Sequence, residues 1–345
     1  MFVTNSLTGG GAERAMNIAI NELVRLGWPV KLVPINKGPK DFVQLECEVQ
    51  DTNRLWKAGL IDTIKSYRKF KKIVSEWQPE IIIGTCNLPE LYLGLLGNQA
   101  SEIVIVEEAR EPWSNRPLLG RLIRKRLARL GVIWIAASGH WRIWPTDLVP
   151  DVVIPNALTL FTRSSKVFEK KVQAELVYVG RMSLEKRPDW FIEICAVSGL
   201  RGTIIGAGAE EDTLRSIATK TNAQVEFVGY LAEPWAGLDS SNLIIVPSRS
   251  EGDGLVVREA LNARLPILLS DIPEFRFFGL PDHHYCATPD AFISRILKFQ
   301  NDFEMLIVSQ EIREKILANR DPVVIGEAWD SHLKHLLKRG LKVKN

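Results

Sequence analysis

Three loops in this sequence combine glycines with charged side chains at spacings suited to phosphate and sugar chemistry. Thr8 to Arg14 reads T-G-G-G-A-E-R, between a strand-like and a helix-like run. Consecutive glycines let the backbone approach a ligand closely, and the helix start behind them offers free N–H groups to phosphate. A flexible turn is the alternative reading. The loop is neither a Walker loop, which needs G-x-x-x-x-G-K followed by Ser or Thr, nor a clean G-x-G-x-x-G. Val179 to Phe191 reads V-G-R-M-S-L-E-K-R-P-D-W-F. There Arg181 and Lys186 could clamp a diphosphate and stabilise it as a leaving group, or be two solvated charges. Pro188 suits the first turn of the next helix. Pro247 to Leu261 reads P-S-R-S-E-G-D-G-L-V-V-R-E-A-L, with Glu251 in a loop and Glu259 in a helix starting near Leu255. Carboxylates so placed can accept hydrogen bonds from sugar hydroxyls while loop N–H groups face a phosphate. A Ser250 cap with a surface glutamate is the alternative.

The elements that must position these loops alternate along nearly the whole chain. Short β-branched runs at 30–35, 81–83, 103–106 and 132–135 read as buried parallel strands, separated by helical patterns at 13–26, 62–77 and 118–130. In the first helix Met16, Ala19, Ile20 and Leu23 share a face. A polar stretch interrupts the rhythm, which restarts with strands at 176–179, 203–205, 225–228, 243–246 and 267–269. The fold class is therefore α/β, with parallel sheets covered by helices on both sides. The expected organisation is a Rossmann-like domain over 1–157, a linker over 158–174 and a second Rossmann-like domain over 175–320. A helical pattern at 325–341 ends the chain, so a final segment is set at 321–345. Strand ends are where such folds carry ligands.

Composition narrows the function. A length of 345 residues exceeds the ~250–300 at which single cores stop growing. Hydrophobic residues at 46% and charged residues at 25% exclude a disordered chain. Lys+Arg 44 against Asp+Glu 41 gives +3, too balanced for a nucleic-acid binder. The longest apolar run, residues 130–137, is too short to span a bilayer. Met1 leads directly into a strand-like run without a basic-then-apolar leader, so a cytoplasmic protein is expected. The 4 cysteines are scattered without a C-x-x-C. A reduced compartment is expected, with no disulfide, metal or other cofactor.

Taken in order, Gly-Gly-Ala-Glu-Arg (10–14), Ile-Pro-Asn-Ala (154–157), Val-Gly-Arg with Glu-Lys downstream, and Glu-x7-Glu resemble the family 4 glycosyltransferases. These are retaining enzymes of the GT-B architecture, and the resemblance covers residues 2 to 275. It implies two facing Rossmann-like domains with a cleft between them, acceptor-binding first and nucleotide-sugar-binding second. It also implies a C-terminal helix crossing back onto the first domain. The implied activity is sugar transfer from a nucleotide-diphosphate donor, UDP or GDP, to a glycan or lipid-linked acceptor in polysaccharide assembly. Glu259 would hold the ribose hydroxyls, and Glu251 with the backbone of Gly252, Asp253, Gly254 and Leu255 the donor sugar and phosphate. Arg181 and Lys186, beside Gly180, would contact the diphosphate, with Gly10 and Gly11 closing over it. The leaving phosphate would help deprotonate the acceptor on the same face.

Three departures accompany the resemblance. Asp253 stands where the family has an aromatic or small residue, which would change donor choice or weaken phosphate contact. Gly206 to Glu211 reads G-A-G-A-E-E rather than G-x-G-P-E. The strand I-V-I-V-E-E-A-R (103–110) brings Glu107, Glu108 and Arg110 where many members carry a His; Glu108 stands as a catalytic replacement or in a structural salt bridge. Two rival readings are a GT-B nucleotide-sugar epimerase and a non-catalytic sugar-nucleotide binding protein.

A final signal concerns surfaces. The helix at 118–130 aligns Leu119, Ile123, Leu127 and Leu130, with Arg121, Arg124, Lys125, Arg126 and Arg129 around the other sides. It reads as a peripheral membrane contact or as an ordinary solvated face. A second basic cluster occupies 65–72, and seven of the ten tryptophans also fall in the first domain. His283 and His284 read as loop residues rather than ligands.

Overall fold

Neighbouring side chains of a strand point to opposite faces of its sheet, so a strand that is apolar throughout demands cover on both faces. The computed structural model, which describes residues 1–7, 11–37, 45–55, 59–97, 102–107, 113, 116–138, 142–158 and 175–343, meets that demand twice. Two compact units result: Met1–Ala157 with Asn319–Asn345, and Leu158–Ala318. Most of the expected linker, 159–174, lies outside the described residues.

In the first unit, strands β1 (Phe2–Thr4), β2 (Lys31–Pro34), β3 (Glu48–Val49), β4 (Ile81–Thr85), β5 (Glu102–Glu107), β6 (Ile133–Ala136) and β7 (Val152–Val153) alternate with four helices. These are α1 (Gly11–Arg25), α2 (Leu60–Trp77), α3 (Asn87–Leu96) and α4 (Pro117–Arg129). The sheet is parallel in the order β3-β2-β1-β4-β5-β6-β7. Phe70, Tyr92, Leu93, Ile123 and Leu127 of α2, α3 and α4 cover one face. Met16, Ile20 and Leu23 of α1 cover the other.

The second unit contains β8 (Leu176–Val179), β9 (Gly202–Ile205), β10 (Val225–Gly229), β11 (Leu243–Val246), β12 (Ile267–Ser270) and β13 (Tyr285–Cys286). Its helices are α5 (Pro188–Ser198), α6 (Glu211–Lys220), α7 (Leu255–Asn262), α8 (Pro273–Arg276), α9 (Pro289–Phe299) and α10 (Gln310–Leu317). This sheet is also parallel, in the order β10-β9-β8-β11-β12-β13. Phe191, Leu214 and Phe292 of α5, α6 and α9 pack on one face, and Val257, Phe275 and Ile316 of α7, α8 and α10 on the other.

The last helix, α11 (Pro322–Val343), returns to the first unit. Ile325, Trp329, Leu333 and Leu336 join the core formed by Phe2, Ile20 and Leu23. Trp28 Nε1 donates to Asp330 at 2.8 Å, and Arg320 Nη1 to the carbonyl of Asn156 at 3.1 Å. No helix among the described residues is long and apolar enough to cross a membrane.

Helix α4 departs from its sequence pattern. Arg124, expected on a solvated side, is 1% exposed. Its Nη2 donates to Glu90 Oε1 on α3 at 2.8 Å and also to Glu107 at the end of β5, while Nε donates to Glu90 Oε2 at 3.0 Å. Trp113 Nε1 shares Glu90 Oε2 at 2.7 Å. The guanidinium lies 4.8 Å from the Trp134 ring. Position 124 points between the buried Ile123 and Leu127 and the facing helix α3, so the inward stripe is rotated. Leu119 is left partly in water as a result. Two carboxylates around one guanidinium leave an uncompensated negative charge indoors. Burial pushes the Glu107 carboxyl up to about 7 against the pull of Arg124, and Glu90 pushes the same way. Glu107 Oε1 finds no hydrogen-bond partner among the described residues.

A carboxyl with a higher pKa folded than unfolded binds its proton more tightly in the folded state. Stability contributed by Glu107 therefore falls as pH rises from its ordinary 4.5 to about 7. Glu107→Gln, permanently neutral, is expected to gain on the wild type by a few degrees in Tm between about pH 5 and about pH 8. Thermal unfolding of both proteins across that range checks this, and a constant difference in Tm refutes it.

Candidate active site

Strand order reverses between β8 and β11, which are neighbours in the sheet although β9 and β10 follow β8 in sequence. Such a switch point opens a crevice at the carboxyl ends of the strands. The second and third sequence motifs follow these two strands. Lys186 Nζ lies 2.6 Å from Glu251 Oε1, joining the motifs by an ion pair that leaves Lys186 30% and Glu251 7% exposed. Ser248 Oγ donates to the same carboxylate oxygen at 2.9 Å. The backbone N–H of Arg249 donates to the carbonyl of Glu185 at 2.7 Å, so main chain as well as side chains tie the loops together.

The loop after β8 is held from beneath. Tyr178 Oη donates to the Arg181 carbonyl at 2.8 Å. Burial, reinforced by the Glu251 and Asp189 carboxylates, keeps this phenol well above its usual range and so protonated. Arg181 itself is exposed. Pro188 opens α5, as its fixed φ favours. The neighbouring loop after β9 presses against Gly180: Gly206, at φ 149, sits so close that a Cβ on it would lie 1.9 Å from the Gly180 carbonyl oxygen. The hydrogen bond from Gly206 N to the Gly229 carbonyl, 2.8 Å, fixes that approach.

Helix α7 begins at Leu255 after Gly254, whose φ of 64 is a left-handed conformation that glycine adopts without strain. Its first N–H groups lie immediately beyond Glu251 and Gly252, where a helix start attracts anions. Glu259 is 8% exposed within α7, and its Oε2 accepts from Trp235 Nε1 at 3.1 Å. Asp253, expected beside a donor sugar, instead directs its carboxylate to Arg258, whose Nη2 is 3.0 Å from Oδ1.

The structure thus brings Gly180, Arg181, Lys186, Gly206, Glu251, Gly252, Asp253, Gly254, Leu255 and Glu259 to the carboxyl end of one sheet. Gly11 opens α1 in the first unit. Gly10, Glu108 and Arg110 lie outside the described residues. Glu107 is the strand residue, committed to Arg124. No group of three metal-ligating side chains occurs among the described residues. Four partners escaped the sequence reading. Arg258 and Ser248 lay inside a quoted motif without a role, whereas Tyr178 and Trp235 are fixed by contacts that local spacing does not encode. His284 is not a free loop residue: it is buried, with Nδ1 2.9 Å from the Ile267 carbonyl, and burial lowers its pKa to about 4.

Residues 162–278 match the family model described as glycosyl transferases group 1. An uncharacterized glycosyltransferase of Haemophilus influenzae is 24% identical over 289 residues, covering 77% of this chain and 78% of that protein. The Escherichia coli O-antigen biosynthesis glycosyltransferase WclY is 35% identical over 74 residues, 21% of each chain. The Anabaena HepE structure in complex with UDP and glucose superposes with a TM-score of 0.74 at 16% identity, covering 96% of this chain and 98% of that one. Two parallel α/β units with a returning helix define the GT-B architecture. The chain is a glycosyltransferase whose second unit carries the group 1 segment.

Gly206→Ala is expected to destabilise the second unit by more than about 2 kcal/mol, because backbone rather than a flexible side chain must give way. Denaturant unfolding measures it. A stability equal to wild type would contradict the close approach of the two loops.

Proposed function

We propose that the chain transfers a sugar, with retention of anomeric configuration, from a nucleoside diphosphate donor to a glycan or lipid-linked acceptor in polysaccharide assembly. The observation that carries this reading is the Lys186–Glu251 pair beside the start of α7 at the switch point. UDP and glucose in the HepE complex and the O-antigen role in the name of WclY support it.

Each residue has a task in this reading. The diphosphate lies at the N–H groups that open α7, and Arg181 and Lys186 neutralise it as it leaves. Lys186 is already charged and aimed by Glu251, so an arriving phosphate exchanges one anion for another. Glu251 then accepts a hydrogen bond from a donor-sugar hydroxyl, and Glu259 accepts from the ribose. The bond from the anomeric carbon to the diphosphate breaks. The acceptor oxygen bonds to the same face, and its proton passes to the departing phosphate oxygen. Two cations on the loop and a helix start supply the charge compensation, so the reaction needs no metal.

Released nucleotide from a panel of UDP-, GDP-, ADP- and CMP-sugars tests the donor site. Turnover is expected with one donor, and both Glu259→Ala and Lys186→Ala should lower it by about 10²–10³-fold with the fold retained. Full activity in either variant removes that residue from the site. Absence of turnover and of nucleotide binding by the wild type removes the reading.

Peripheral contact with the inner face of an anionic membrane, in the cytoplasm, completes the proposal. The first turns of α4 expose Leu118 by 78% and Leu122 by 69%, beside the exposed Arg121, Lys125 and Arg129. Apolar side chains flanked by cations suit an interface of anionic headgroups over acyl chains. Arg124, turned inward, takes no part. Co-sedimentation with phosphatidylglycerol vesicles is expected to fall at least severalfold in a Leu118→Glu, Leu122→Glu variant and with added salt. Unchanged binding in the variant excludes this helix as the contact.

A further inference from the structure

Arg258 grips the Glu251–Gly254 turn in a way that the donor-site reading does not use. Its Nη2 donates to Asp253 Oδ1 at 3.0 Å and its Nε to the Asp253 carbonyl at 3.1 Å, so one guanidinium holds both side chain and main chain. Nη1 donates at 2.8 Å to the carbonyl of Ile316 at the end of the second unit's α10. The cation also lies 4.7 Å from the Phe278 ring. That ring in turn packs against Gly254, where a Cβ would come within 2.9 Å of it. The Asp253 side chain is 2% exposed and that of Arg258 12%. A carboxylate so buried depends on its cation, and a planar guanidinium reaches two acceptors of one residue through separate nitrogens in a fixed fork, where an ammonium must reach both from a single nitrogen.

We propose that Asp253 and Arg258 are a positioning pair that sets the Glu251–Gly254 turn and the start of α7 for the donor diphosphate, and that Asp253 is not a sugar ligand. The inference rests on the donor-site reading above. The turn is thus also anchored from outside, through Arg258 to α10 and Phe278, beside the bonds that Lys186 and Ser248 make to Glu251. Displacement of a binding loop by a fraction of an ångström changes affinity and rate well beyond what distance from the chemistry would suggest. Asp253 therefore acts through the backbone of Gly252 and Gly254.

Calorimetric titration with UDP, GDP, ADP and CMP, alongside thermal unfolding, tests this on the wild type, Asp253→Asn, Arg258→Met, Arg258→Lys and the Asp253→Asn, Arg258→Met double variant. Each of the Asn and Met variants is expected to raise the Kd of the nucleotide that binds by about tenfold. The double variant should be no worse than the weaker single, since the two residues act as one unit. Arg258→Lys should fall between wild type and Arg258→Met. A lowered Tm with unchanged Kd makes the pair merely structural and overturns the inference. Multiplying effects in the double variant overturn it as well. A wild type that binds none of these nucleotides overturns the donor-site reading, and this inference with it, before any substitution is compared. Asp253→Asn preserves size and shape and keeps the test open should Arg258→Met fail to fold.

Discussion

A parallel sheet buried on both faces leaves polar chemistry nowhere to go but the ends of its strands. In the second unit Leu176, Val177, Leu243, Ile244 and Ile245 are fully buried. The chain therefore stays apolar through β8 and β11 and turns charged only where they stop. Lys186 and Glu251 meet because the strands that precede them are neighbours at the point of reversal, not because they are near in sequence. From that meeting follow the aim of the lysine, the packing of the two loops and the position of the first N–H groups of α7. The same constraint explains why the loop after β9 needs glycine: three loops converge on the end of one narrow sheet, and main chain must pass main chain.

What could be read from the sequence was what local rules encode. Alternating periodicity gave two α/β halves, because strands and helices announce themselves by their own residues. Strand, glycine, charge and helix in succession marked each loop of interest. What could not be read was which side chain answers which. Nothing in W-A-G-L announces that Trp235 reaches Glu259, and nothing near Val177 announces that Tyr178 supports the carbonyl of Arg181. Arg124 is the sharpest case. A helical pattern rich in arginine reads as a solvated face, yet one of those positions faces Glu90 across a helix contact, and tertiary charge outweighs the pattern. Asp253 is a related case: in the sequence it lies beside Glu251, and nothing in the pattern announces that its carboxylate meets Arg258.

The two units handle buried charge differently. In the first, Glu90 and Glu107 share one guanidinium, and burial, reinforced by the second carboxylate, drives the Glu107 carboxyl toward neutrality. In the second, Asp253 is paired with Arg258, and Lys186 with Glu251 in partial contact with water. A cation–anion pair can hold a turn. It can also be opened by a stronger anion, as a diphosphate is. An unbalanced cluster can do neither, and its place beneath the strand ends of the first unit ties α3, α4 and the Trp113 segment into one body.

The route of the chain has a consequence for how the molecule is made. Residues 158–318 are inserted between the two parts of the first unit, whose core contains Ile325, Trp329, Leu333 and Leu336. During vectorial synthesis the second unit has all its residues in hand while the first still lacks the helix that covers α1. Phe2, Ile20 and Leu23 stay uncovered until residues 325–336 leave the ribosome. The unit begun before the insertion is completed only after it, and its apolar face is the one a chaperone would meet.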